Sequence, residues 1–147
     1  MAKKNNTQNE RMMLDIYKNL DMATWSIDLI DNEIIDDDFL DLVKKQKKMY
    51  EGYKCQALKI ADKFNIDLKN INIMAKMGSM ANIKVGTFFD NSSSNIANKL
   101  IQGTSMGIIE IKKALNSYKI LDDDIKKLAS DLYVSESKFF VSLQDFL

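Results

Sequence analysis

From Asn95 to Tyr118 the chain reads NIANKLIQGTSMGIIEIKKALNSY, and no other stretch limits the possible folds so tightly. At about 100° per residue, Ile96, Leu100, Thr104, Gly107, Ile111, Ala114 and Tyr118 share one side. Asn98, Gln102, Ser105, Lys112, Lys113 and Asn116 fall opposite. This pattern predicts a long amphipathic helix with a wide core face. Gly103 and Gly107, on or beside that face, predict a trough where a neighbouring helix or side chain approaches closely. The same spacing marks membrane helix dimers, but Lys99, Gln102, Lys112 and Lys113 exclude a lipid setting.

The remaining segments are read by the same periodicity. Residues 1 to 8 have nothing to bury and are expected to be disordered. A first helix, Asn9 to Asn32, carries a core stripe of Met13, Ile16, Leu20, Ala23, Thr24, Ile27 and Ile34. Leu14, Met22, Trp25 and Leu29 form a second apolar stripe on its other side. Asp36, Asp37 and Asp38 offer a cap and favourable charge to a second helix running to about Asn65. Its core face is Phe39, Val43, Gln46, Tyr50, Tyr53, Ala57, Ile60 and Phe64. A third, shorter helix, Ile71 to Phe89, is apolar on most sides and so is expected to be covered on most sides. The DNSSS run, Asp90 to Ser94, predicts a turn and a serine cap before the fourth helix. Leu121 to Asp124 does the same for the fifth, whose core face is Ile125, Leu128, Leu132, Glu136, Phe139, Leu143 and Phe146.

The absence of proline fits this all-helical reading, and 147 residues suit a single domain over 9–147 without disulfide or metal staples. Short connections alternate the directions of neighbours. Helices one, two, four and five then form a four-helix bundle, with the third returning the chain so that the second and fourth run parallel. Lys plus Arg balances Asp plus Glu at 21 each, with scattered charges, so the field that draws proteins to nucleic acid is missing. Cys55, the single cysteine, excludes an internal disulfide and is expected to be a small, semi-buried residue. The polar start and the lack of any membrane-length apolar run predict a cytoplasmic protein with no membrane partner.

The run NIMAKMGSMANIKVGTFFDNSSSNIANKLIQGTSMGIIEIKKAL, with a last helix ending in SLQDFL, resembles small ferritin-like bundle proteins of low-GC bacteria. Some relatives of those are associated with spores. The resemblance spans about residues 10 to 147 and implies a ferritin-like bundle, antiparallel across helices one, two, four and five, with helix three as the crossover. It does not carry over ferritin's metal chemistry, which draws Glu-x-x-His from helices of the bundle. The chain has no histidine.

Interior carboxylates were the remaining route to a metal. On the helical wheels Glu136 is the one carboxylate at the centre of an apolar stripe in mid-helix; Asp31 lies in a wet last turn, Glu110 borders its arc and Glu51 lies outside. Glu136 and Gln46 sit roughly 14–15 Å from one end of the bundle at ~1.5 Å per residue, level with Ala23, Thr24, Gly103 and Thr104. The spacing predicts a buried polar layer of Gln46, Tyr50, Thr24, Thr104 and Glu136, with the Glu136 pKa raised by burial. That layer is read as fixing helix register, with no metal, no cofactor and no catalytic residue. Met74, Met77 and Met80 drift around their helix and read as core packing rather than a copper site. Asp28, Asp31 and Asp36 to Asp38 lack calcium-loop spacing, and Lys44, Lys45, Lys47 and Lys48 lack interleaved aromatics for nucleic acid. Serines without histidine lack the usual base. The second stripe, Leu14, Met22, Trp25 and Leu29, is an expected contact with helix three or with the same helix in a homodimer. The expected function is a non-catalytic structural or interaction protein; a carboxylate-only di-metal protein or oxidase, and a small-ligand carrier at the Gly103/Gly107 trough, are the alternatives.

Overall fold

The computed structural model describes residues 2–68 and 91–147, with side chains from Thr7 onward. Within these residues the chain forms α1 (Ala2–Ile30), α2 (Asp37–Lys63), α3 (Ser93–Ser117) and α4 (Asp123–Leu143). Single 3-10 turns follow α1 at Asp31–Glu33 and α4 at Gln144–Phe146. No strand occurs among the described residues. The expected third helix, Ile71 to Phe89, and with it Met74, Met77 and Met80, lies outside them.

Local chemistry sets the helix ends. Asp36 caps α2 by accepting from Phe39 N–H at 2.8 Å, Ser92 caps α3 by accepting from Asn95 N–H at 3.2 Å, and Asp122 accepts from Asp124 N–H at 3.0 Å ahead of α4. The Asp36 to Asp38 and Leu121 to Asp124 runs thus serve helix ends, as their positions suggest. At the end of α2, Asn65 takes the left-handed conformation, φ 55°, while Ile66 N–H bonds Ala61 C=O at 2.8 Å and Asn65 N–H bonds Asp62 C=O at 3.2 Å. This is the paired bonding that closes a helix, at one of the residue types that tolerates positive φ.

α1 departs from expectation at its start. The helix begins at Ala2, so the stretch taken as a disordered tail continues it. The side chain of Gln8 accepts from Ile120 N–H at 3.0 Å and that of Asn9 from Asp122 N–H at 2.9 Å, tying this end of α1 to the α3–α4 connection. Hydrophobic periodicity does not register such polar ties.

Cross-helix pairs give the directions. α1 and α2 are antiparallel, joined by Lys54–Asp21 at 3.0 Å and by Lys47–Asp28. α2 and α4 are antiparallel through Lys63–Asp124 at 3.0 Å and the stacked rings of Phe39 and Phe146 at 4.8 Å. α1 and α3 are antiparallel through Tyr118, which donates to Asp15 at 3.0 Å, and Asn19, which donates to Gly107 C=O at 3.0 Å. α2 and α3 therefore run parallel, and each helix packs on two neighbours in the ring α1, α2, α4, α3. The core between them holds Met12, Met13, Ile16, Leu20, Ile27, Phe39, Val43, Ile96, Ile111, Ile125, Leu128 and Leu132, all nearly or fully buried.

The stripes fall where the wheels put them, with a few shifts. Ala23, Tyr53, Ile60, Phe64, Gly107, Tyr118, Phe139 and Phe146 are half-buried at the core's edge. Cys55 is exposed, not semi-buried, because α2 turns that position away from both neighbours. No described helix is long and apolar enough to cross a membrane.

Candidate functional site

Halfway along the four helices the apolar core is interrupted by polar side chains. Thr24 of α1 is 6% exposed, Gln46 and Tyr50 of α2 1% each, Thr104 of α3 5% and Glu136 of α4 1%. All the residues expected in the polar layer are thus buried. Gln46 Nε2 donates to Thr104 Oγ1 at 3.1 Å and to Tyr50 Oη at 3.2 Å. Tyr50 in turn donates to Glu136 Oε1 at 3.3 Å, so one chain of bonds runs from α3 through α2 to α4. Thr24 stands apart from this chain. Its hydroxyl bonds back to Leu20 and Asp21 C=O at 3.1 Å, satisfying itself within α1.

The place of Thr24 is taken by a residue the wheels did not single out. Asn19 donates through Nδ2 to Gly107 C=O at 3.0 Å and also hydrogen-bonds the Glu136 carboxyl, closing the layer across α1. Gly107 makes room for both: a Cβ on it would lie 2.7 Å from Glu136 Oε1 and 3.1 Å from the Asn19 amide. At Gly103 nothing among the described residues comes within 4 Å of such a Cβ, and the residue is exposed. The expected two-glycine trough is therefore a one-glycine contact, since Gly103 is turned about 40° further from the core than Gly107.

The electrostatics follow from burial. Among the described carboxylates Glu136 alone is buried, and its pKa is pushed up to about 8 by loss of water, partly offset by the bonds from Tyr50 and Asn19. The Tyr50 hydroxyl is pushed up too, first by burial and then by the neighbouring carboxyl, so it remains a donor. Two acceptor atoms of the layer, Gln46 Oε1 and Glu136 Oε2, have no hydrogen-bond partner among the described residues. At neutral pH the carboxyl is therefore held mainly protonated, and its O–H adds a donor to a layer in which two acceptors are unpaired among the described residues.

The other candidates resolve more simply. Glu51 and Glu110 are exposed, and Asp31 is half-buried in the turn after α1. Asp28 pairs with Lys47, while Lys44, Lys45 and Lys48 are exposed. Leu14 and Leu29 pack against the core; Met22 and Trp25 are half-buried. A ferritin-type di-metal centre takes a glutamate from each of two helices and Glu-x-x-His from each of the others. The layer offers one carboxylate among amide and hydroxyl groups, and no group of three or more metal-binding side chains exists among the described residues. These residues do not fit such a centre.

No protein-family model matches the chain, and neither the curated proteins nor the solved structures contain a significant match to it.

Proposed function

We propose that the protein is a non-catalytic, ferritin-like helical bundle of the bacterial cytoplasm that acts through its surface, as a structural or interaction protein pairing with a second copy or a protein partner. One observation carries this reading. The mid-height level, where a ferritin-like scaffold gathers its metal ligands, holds a single carboxyl tied to Tyr50 and Asn19 beside the Gln46–Thr104 bond. The parallel α2 and α3, between antiparallel hairpins, support the ferritin-like connectivity. Apolar side chains on the outside support the surface role: Met106, 65% exposed, and Ile109 lie one turn apart on α3.

Elemental analysis of protein grown in iron- and manganese-supplemented medium, with sedimentation velocity on the same sample, tests the reading. A metal-free dimer or hetero-complex is expected. About two metal equivalents per chain would replace it with a carboxylate-only di-metal protein. A co-purifying small molecule bound at Thr104 and Glu136 would make the protein a carrier.

A further inference from the structure

The hydrogen-bond ledger of the layer does not close with every acid ionised. Asn19 of α1, Gln46 and Tyr50 of α2, and Thr104 and the Gly107 backbone of α3 converge toward Glu136 of α4. None of these groups carries a positive charge to balance a carboxylate, and the one other titratable group, Tyr50, is itself held neutral by burial. Glu136 Oε2 and Gln46 Oε1 are both acceptors without a partner among the described residues. Oε1 sits against the bare backbone of Gly107, so close that a Cβ there would stand 2.7 Å from it and 3.1 Å from the Asn19 amide, and the carboxyl is crowded on its α3 side.

We propose that Glu136 is a proton latch: with its proton the layer clasps all four helices, and on losing it the carboxylate draws water in and the bundle loosens at mid-height between α3 and α4. The proposal stands on the crowding of one acid by neighbours that, among the described residues, carry no charge, whatever partner the surface binds. The sign follows from linkage. The folded state holds the proton up to about pH 8, whereas the unfolded chain releases it near 4.5. Between those values the folded state binds more protons than the unfolded one, so stability falls as pH rises. The stabilising share of Glu136 is complete below the lower value and gone above the upper one.

The experiment is urea unfolding of the full chain and of Glu136→Gln at about pH 5.5, 7 and 8.5, windows set by that linkage. Glutamine keeps the shape, remains neutral and brings its own N–H donors. The unfolding constant of the natural protein is expected to rise relative to that of the variant by up to tenfold, about 1.36 kcal/mol, per pH unit across this range. At the highest pH Glu136→Gln is the more stable of the two. Other acids shifted in the folded state, such as Asp15, act on both proteins and cancel in the ratio. A constant ratio across the range overturns the proposal. Should Glu136→Gln fail to fold, the natural protein's infrared spectrum decides: a carboxylic-acid C=O band that persists above pH 6 and fades toward pH 9 supports the latch, and its absence at about pH 6 rejects it.

Discussion

Gly107 on α3 faces Glu136 on α4 so closely that a Cβ added to the glycine would stand 2.7 Å from the carboxyl oxygen. Across the same gap Asn19 donates to the Gly107 carbonyl at 3.0 Å. The missing side chain lets α1, α3 and α4 meet at one level, so Gly107→Ala has to displace either the carboxyl or the Asn19 amide. Alanine's better helix propensity, worth up to about 1 kcal/mol, opposes overpacking of ~1–3 kcal/mol. A net loss of about 1–2 kcal/mol in urea unfolding is expected. Gly103→Ala, four residues earlier at an exposed site on the same helix, is the matched control and should gain about 0.5–1 kcal/mol. Equal effects at the two sites would remove the special role of Gly107.

Tyr50 is the bridge between the amide and the acid. Tyr50→Phe keeps the ring in place but takes the donor from Glu136 Oε1 and one acceptor from Gln46 Nε2, leaving the amide bonded to Thr104. A cost of about 1–3 kcal/mol is expected in denaturant unfolding. Because the Tyr50 bond lowers the Glu136 pKa, its removal should move that titration further up. The double variant Tyr50→Phe with Glu136→Gln should fall short of the sum of the single changes, as coupled neighbours do. Strict additivity would mean the bond contributes nothing.

Much of this layer was legible from periodicity alone. Gln46 and Glu136 each interrupt an apolar stripe at the same height, and a helix in a bundle has no other way to point those positions than inward. Thr24 lies at the expected depth but bonds its own helix, because a threonine on a helix can bond its own preceding turn and periodicity does not separate that outcome from a cross-helix bond. Asn19 was missed. It lies at the border of the α1 stripe, and what draws it into the layer is the open backbone of Gly107, a contact 88 residues away that no local pattern announces. The early start of α1 was hidden for the same reason, since Gln8 and Asn9 are held by the α3–α4 connection.

The acidic run before α2 gives a separate check on reading acids as caps instead of cation ligands. Asp36 accepts from Phe39 N–H at 2.8 Å. Asp36→Ala should cost about 1 kcal/mol and Asp36→Asn much less, since asparagine caps nearly as well. Thermal unfolding of the three proteins with and without millimolar calcium should show the same ranking and no metal effect. A calcium-dependent rise in Tm that vanishes in Asp36→Asn would return this run to the metal-binding class.

The account depends most on a neutral acid occupying the centre of the bundle. The side-chain carboxyl 13C resonance of Glu136, recorded near neutral pH before and after addition of excess manganese(II), tests that directly. The account predicts the chemical shift of a protonated acid, unbroadened by the paramagnetic ion. A carboxylate shift at neutral pH, or a signal that manganese erases, would contradict it.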